Sequence, residues 1–197
     1  FHRFALHQLG WKNQVIQPRR HAHFECEQLL VPSHVGTVLQ PTRRGLDLIN
    51  AFAARVPVPP SHLGERLYVS REKSRRRRVL NEPELWSCLQ TAGFTRVFLE
   101  DLSWTEQIAA FRGARVIVAP HGAGLANLAF CAPGTRVVEL FHRSYVHGCF
   151  WRIASLQRLD YWPLVPPSSE PLGQATDCNR LDLTAHVAQV RAALKAE

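Results

Sequence analysis

The sequence predicts an α/β fold in which a parallel β-sheet is covered by helices on both faces. From Arg66 onward, short apolar segments rich in β-branched residues alternate with longer segments of helical periodicity. Two of the helical segments begin with a capping signal and end at a glycine. Strands that alternate with helices pair in parallel through right-handed crossovers, so we expect the order βαβαβαβ.

Each element has its own signal. The helix in "NEPELWSCLQTAG" is expected to start at Asn81, with Glu84 three positions on, and the helix in "SWTEQIAAFRG" at Ser103, with Glu106 three positions on. Both pairs are capping-box patterns. A third helix is expected in "GLANLAF". The strands are expected in "RLYVSR", "TRVFLE", "RVIVA" and "TRVVELF".

The flanking segments indicate how the chain is divided. A strand candidate lies at Gln28–Pro32, a helix candidate near Arg43–Arg55, and a proline-rich linker at 56–65. We predict the tail of an N-terminal domain plus linker at 1–60, a sheet domain at 61–170, and a tail with a closing helix at 171–197. A helix candidate at Tyr145–Gln157 and the apolar stretch "LDYWPLVPP" complete the sheet domain. Because the chain contains no methionine, we interpret it as a segment of a longer protein.

The composition allows an anionic ligand without requiring one. The net charge of +8 comes mostly from arginine, whose planar fork suits phosphate, although an arginine-rich solvated surface would give the same total. The five cysteines lack the spacing of a zinc site, so no metal is predicted. Basic residues are not interleaved with aromatic ones over a surface, so nucleic acid is not an expected partner.

A long uncharged run raises the question of a membrane span. Val116 to Thr135 carry no acidic or cationic side chain apart from His121. Prolines and glycines interrupt the run, whereas a spanning helix needs about 20 continuous apolar residues. We therefore interpret it as strand, loop, helix, turn and strand.

The loop "PHGAG" inside this run is a candidate anion site. It joins a buried strand to a helix start, where free N–H groups favour a phosphate, and Gly122 and Gly124 let the backbone approach closely. His121 could donate to a phosphate oxygen, or it could be satisfied by a neighbouring carbonyl. The pattern is neither the dinucleotide fingerprint nor a P-loop, and a tight turn is the alternative interpretation.

Basic residues follow the first strand. Arg71 comes directly after it, at the sheet edge where ligands of parallel sheets bind, and Arg75 to Arg78 lie on the following loop. Such a cluster can neutralise a diphosphate. For Arg75 and Arg76 a solvated charge run is the favoured interpretation. The sequence has no G-x-S-x-G nucleophile elbow and no D-x-D pair for a metal-bridged diphosphate.

Three segments together carry a family resemblance: "RLYVSR", "RRRRVLNEPEL" and "GFTRVFLEDLSWTEQIAAFRGARVIVAPHGAGLANLAFCAPGTRVVELF". The ordered series S-R, R-x-x-N-E, L-S-x-x-E-Q, H-G-A-G-L-x-N and P-G-T-x-V-V-E-L resembles glycosyltransferase family 61, from about Arg66 to Phe141. The resemblance implies a GT-B architecture, with two Rossmann-like domains facing a cleft. This chain would supply the C-terminal domain that binds the sugar donor, and its partner would be an upstream N-terminal domain of the same chain.

The resemblance also implies an activity. It is inverting transfer from a nucleotide-diphosphate sugar, with a UDP-sugar as the first expectation, to a glycan or glycoprotein acceptor. No metal and no other cofactor is expected. A non-catalytic nucleotide- or phosphate-binding module of the same fold is the main alternative, and a basic surface for acidic polysaccharide or nucleic acid is a third. Eukaryotic relatives act in the Golgi or ER lumen and bacterial ones at the cytoplasmic side, so the compartment stays open.

Carried over by motif, the family's functional residues fall on two groups of positions. Contacts with the donor diphosphate are implied for Arg71, His121, Gly122, Ala123 and Gly124. Support of the pocket is implied for Ser103, Glu106, Gln107, Asn127 and Glu139. Capping alone would also explain Ser103 and Glu106, and Glu139 could instead pair with an arginine. No catalytic base is identified, and we expect it in the N-terminal domain or at a histidine of the cleft edge.

Overall fold

The computed structural model describes residues 6–12, 16, 19–29, 40–167 and 181–195. The strand candidate at Gln28–Pro32 lies outside the described residues from position 30 onward, and so does Cys178. Within these ranges, no helix has both the length and the apolar composition needed to cross a membrane.

The centre of the structure is a five-stranded sheet whose strands all run parallel. Its strands are β1 (Arg66–Val69), β2 (Thr95–Val97), β3 (Val116–Pro120), β4 (Arg136–Leu140) and β5 (Asp160–Leu164). They lie in the order β2-β1-β3-β4-β5. One register row joins Leu67, Ile117 and Val137, and all three are fully buried. The prediction of a parallel α/β sheet is confirmed.

Helices cover both faces, as predicted. The α-helices are α1 (Arg43–Ala54), α2 (Glu82–Thr91), α3 (Trp104–Gly113), α4 (Cys149–Gln157) and α5 (Val187–Lys195). Buried side chains of α1, α3 and α4 pack with one face of the sheet, and those of α2 and α5 pack with the other. Burial on both faces explains why the central strands are apolar along their whole length instead of alternating with polar residues.

Two short elements show details that the sequence did not specify. "GLANLAF" was expected to be a helix, and Ala123–Phe130 forms one of the 3-10 type. The segment packs against α1, α3 and α4 at once. "TRVFLE" was expected to be one strand, but β2 ends at Val97 and a 3-10 turn follows at Leu99–Asp101.

The prediction of four strands was wrong, because "LDYWPLVPP" contains a fifth. Pro163 made this stretch unlike a strand, since proline donates no backbone hydrogen bond. β5 lies at the edge of the sheet, where one side of the strand needs no partner, and Pro163 is exposed there. The preceding helix is also shorter than expected, beginning at Cys149 instead of Tyr145.

The capping box expected at Asn81 is absent. Asn81 precedes α2, but its side chain makes no capping hydrogen bond to the helix backbone. Its amide group instead donates to the Ala185 carbonyl at 2.9 Å and accepts from the Ala185 N–H at 2.8 Å. Arg78 forms an ion pair with Asp182 of the same C-terminal segment, in which Nη2 lies 2.7 Å from Oδ2. The motif R-x-x-N-E therefore anchors the segment that leads into α5.

The strand order creates a crevice at one edge of the sheet. The chain runs from β1 outward to β2 and then returns to β3 on the other side of β1. The loops after β1 and β3 consequently leave in opposite directions and separate from each other. In open parallel sheets, ligands bind at such a switch point, beyond the carboxyl ends of the strands. Arg71 and the "PHGAG" loop both lie there.

Candidate functional site

A crevice of about 470 Å³ opens at the switch point between β1 and β3. Apolar and polar side chains both line it. It is lined by the end of β1 and the loop after it, the 3-10 turn after β2, the start of α3 and the 3-10 helix after β3: Val69, Ser70, Arg71, Leu99, Glu100, Trp104, Gln107, Ala123, Gly124, Ala126 and Asn127. A concave apolar site with a few convergent polar groups is the usual form of a small-molecule site. Five of the ten residues named by the family motifs therefore line one crevice.

Arg71 lies directly against the glycine loop. Its Nε and Nη2 atoms donate to the Arg76 carbonyl at 3.2 and 3.1 Å, so the guanidinium group is held in place by its own loop. A Cβ atom at Gly122 would lie only 2.4 Å from Arg71 Nη1. The absence of a side chain at Gly122 is thus what permits this close approach.

The surroundings of Arg71 disfavour its positive charge. Burial lowers the pKa of its guanidinium, and the nearby positive charge of Arg77 lowers it further, while Glu100 acts in the opposite direction. An arginine stays protonated in spite of such a shift. Two guanidinium groups that repel each other at a sheet edge would both be stabilised by an anion between them.

A buried hydrogen bond between Ser70 and Glu82 fixes the end of β1. Ser70 donates to Glu82 Oε1 at 2.5 Å, and the Glu72 N–H donates to Ser70 Oγ at 3.1 Å. Glu82 is the last residue of R-x-x-N-E, and it begins α2. The motifs S-R and R-x-x-N-E therefore meet through this bond, which holds the backbone that carries Arg71. Both motifs were recognised in the sequence, but the bond between Ser70 and Glu82 was not predicted.

Gln107 and Asn127 form a clamp between the two walls of the crevice. Asn127 Nδ2 donates to Gln107 Oε1 at 2.9 Å. Gln107 Nε2 in turn donates to the carbonyls of Leu99 and Leu102, at 2.9 and 3.2 Å. The motifs L-S-x-x-E-Q and H-G-A-G-L-x-N are thus joined side chain to side chain. The clamp joins the start of α3 and the turn after β2 to the 3-10 helix that follows β3.

Ser103 and Glu106 form the predicted capping box at the start of α3. The Glu106 N–H donates to Ser103 Oγ at 3.3 Å, and the Ser103 N–H donates to Glu106 Oε2 at 2.7 Å. These bonds lower the pKa of the exposed Glu106 carboxyl. Neither residue is among those that line the crevice. Their structural contribution is to start the helix that carries Gln107.

His121 is buried, with 4% of its surface exposed, and it does not line the crevice. Its Nδ1 atom lies 2.5 Å from Oε1 of Glu139, which is completely buried on β4. The hydroxyl of Tyr161 donates to the other carboxylate oxygen. Glu139 thus pairs with a histidine and a tyrosine, and the suggestion that it pairs with an arginine was wrong. Sequence reasoning missed Tyr161 because β5 was not recognised.

Aromatic side chains enclose the His121 ring. It stacks on Phe141 with the centroids 5.1 Å apart, and it meets the edge of Tyr145 at 5.2 Å. Phe150 of α4 lies at 5.1 Å. Burial and the neighbouring Glu139 carboxylate raise the pKa of the Cys149 thiol beside this cluster. The network His121–Glu139–Tyr161 therefore ties the glycine loop to β4, β5 and α4.

Tyr161 gives this network a signature at alkaline pH. Burial and the Glu139 carboxylate raise the pKa of the Tyr161 phenol above its ordinary value of 10.0. The folded state holds the neutral phenol, so this stabilisation is complete below pH 10.0 and is lost as the pH rises above it. Between about pH 9 and about pH 11, urea unfolding should show a larger loss of stability in the natural protein than in Tyr161→Phe. Equal losses in the two proteins would contradict this assignment.

The comparisons with known proteins agree with the motif series. The sequence model of the family described as Glycosyltransferase 61 matches residues 2–138. The chain is 32% identical over 106 residues to the EGF domain-specific O-linked N-acetylglucosamine transferase of Drosophila melanogaster, a match that covers 52% of the chain and 20% of that protein. It is 26% identical over 130 residues to a beta-1,2-xylosyltransferase of Oryza sativa subsp. japonica, covering 65% of the chain and 24% of the relative.

A third relative is the beta-1,2-xylosyltransferase of Arabidopsis thaliana, which is 28% identical over 97 residues. That match covers 43% of the chain and 18% of the relative. The chain thus spans no more than about a quarter of the length of these curated relatives. The family match covers more than half of the chain and includes Arg71, the glycine loop and the clamp. The chain therefore belongs to the glycosyltransferase 61 family.

Proposed function

We propose that this chain is the sugar-donor-binding half of an inverting glycosyltransferase. The observation that carries the proposal is the contact of Arg71 with Gly122 beside a crevice at the switch point of the sheet. The diphosphate would lie on Arg71 and on the first N–H groups of the 3-10 helix at Ala123 and Gly124, since such groups have no partner within a helix. The nucleoside would occupy the crevice, with a UDP-sugar as the leading candidate.

The chemistry follows from where charge develops. As the bond between sugar and phosphate oxygen breaks, the leaving diphosphate gains negative charge. Fixed cations and N–H donors that meet this charge stabilise the transition state more than the ground state. In the proposal Arg71 supplies the positive charge that meets it, and no metal is required. The base that accepts the proton of the acceptor hydroxyl would come from an upstream N-terminal domain, as would part of the acceptor site.

His121 has an indirect role in this proposal. Because its ring is buried and bound to Glu139, it holds the glycine loop in position beneath the diphosphate. Gln107 and Asn127 both line the crevice, and their hydrogen bond joins α3 to the 3-10 helix there. The acceptor is a glycan or a protein. The named sugars of the relatives, N-acetylglucosamine and xylose, are the first donors to test.

Two measurements test the proposal. Calorimetric titration of the chain with UDP, with GDP as the comparison, should show binding of UDP; no binding of either nucleotide would reject a nucleotide-diphosphate site. Transfer is then assayed with UDP-N-acetylglucosamine and UDP-xylose in the presence and absence of EDTA, which also tests independence from metal. Binding of UDP without any transfer, with an N-terminal domain supplied, would favour the non-catalytic module instead.

A further inference from the structure

Arg77 differs from the other arginines of the run 75–78. Its backbone has φ of +57°, in the left-handed region that residues with a side chain rarely adopt. Arg75 and Arg76 are exposed, and Arg78 is paired with Asp182. Arg77 alone in this run turns its side chain inward over the ring of Tyr145, with the guanidinium carbon 5.6 Å from the ring centroid. Backbone strain at a single residue beside a candidate site is typical of a functional position.

The Arg77 side chain packs over Tyr145, but one of its N–H donors has no hydrogen-bond partner among the described residues. Its Nε atom is buried and makes no hydrogen bond with any residue that the structure describes. A buried donor without a partner is costly, so such a group is expected to meet a ligand or water. The face of Tyr145 attracts the cation but offers no acceptor for its N–H groups. A part of the hydrogen-bonding capacity of Arg77 is therefore available.

The charges around Arg77 point to an anion. Its positive charge acts to lower the pKa of the Arg71 guanidinium. It acts in the same direction on the pKa of the Cys149 thiol. The buried carboxylate of Glu139 has both oxygens bound, by His121 and Tyr161. Glu100 lies on the Arg71 side and accepts from Ser74 at 3.2 Å. Two arginines thus converge beside the glycine loop without a carboxylate that bridges them among the described residues.

We propose that Arg77, positioned by Tyr145, is a second anion-binding residue beside Arg71 and that its ligand is a pyrophosphate group. The identification of that pyrophosphate as part of a nucleotide-sugar donor rests on the proposed function. A pyrophosphate carries enough negative charge to neutralise both guanidinium groups and enough acceptor oxygens to satisfy the free Nε. Tyr145 also touches His121, so the loop between β4 and α4 is coupled to the same site.

The test uses Arg77→Gly, because glycine adopts the positive φ without strain while removing the guanidinium. Calorimetry with inorganic pyrophosphate and with UDP should show an affinity about tenfold lower for both ligands, as expected when one charge-assisted hydrogen bond is lost. The melting temperature should be unchanged or higher, because the backbone strain is relieved. The matched control is Arg75→Ala, which removes the same charge from an exposed position of the same loop and should change either affinity by less than about twofold.

Tyr145 supplies the second part of the test. Tyr145→Phe keeps the ring beneath Arg77 and should bind pyrophosphate as the natural protein does, whereas Tyr145→Ala should bind it more weakly. If Arg77→Gly binds both ligands as tightly as Arg75→Ala does, the inference is overturned while the proposed function stands. If pyrophosphate binds in an Arg77-dependent way and UDP does not bind, the proposed function fails and the anion site remains. Failure of the natural protein to bind either ligand overturns both.

Discussion

Replacing His121 by alanine is expected to lower the free energy of unfolding by about 1–3 kcal/mol, the usual cost of leaving a buried acceptor without its hydrogen-bond partner. Glu139 is completely buried, and His121 Nδ1 lies 2.5 Å from its carboxylate. Without the histidine, this oxygen would stay in the core with no partner. The loss can be measured by urea denaturation followed by tryptophan fluorescence. A loss below about 1 kcal/mol would mean that the pair contributes little.

The control is His62→Ala, which removes an imidazole from an exposed position and should leave stability within about 0.5 kcal/mol of the natural protein. A double-mutant cycle identifies the cause. If the unpaired carboxylate is responsible, His121→Ala combined with Glu139→Ala should cost less than the sum of the single variants, by about 0.5–3 kcal/mol. Strict additivity would show that the two side chains stabilise the fold independently.

Arg71→Met is expected to weaken UDP binding by about 10- to 100-fold, because a hydrogen bond to a charged group contributes roughly 1.5–3 kcal/mol. Methionine keeps an unbranched apolar chain of similar length and removes only the guanidinium. Gly122→Ala should act in the same direction, since its Cβ would lie 2.4 Å from Arg71 Nη1 and would displace that group. Titration calorimetry measures both effects.

The controls for this prediction lie at the C-terminal end of α3. Arg112→Met removes an exposed arginine, and Gly113→Ala adds a Cβ that would make an ordinary contact at 3.6 Å with Ser61 Cβ. Both should bind UDP as the natural protein does. Binding that is weakened equally by Arg71→Met and Arg112→Met would indicate a general effect of net charge instead of a site at Arg71.

Several parts of the site follow from local sequence. The capping box of Ser103 and Glu106 was predicted and is formed, because it depends on residues three positions apart. The same pattern failed at Asn81, where the side chain is engaged by Ala185, 104 positions away. A local pattern predicts local structure well only when no distant partner competes for the same side chain.

The parallel α/β sheet, its apolar strands and the glycine loop at the end of β3 could be predicted from the amino-acid sequence, since they depend on periodicity and on backbone freedom within short segments. Which motif residues contact each other became known from the three-dimensional fold. The clamp of Gln107 and Asn127, the Ser70–Glu82 pair and the burial of His121 on Glu139 and Tyr161 all join residues from different elements. The strand order brings these elements together, and no spacing along one chain specifies that order.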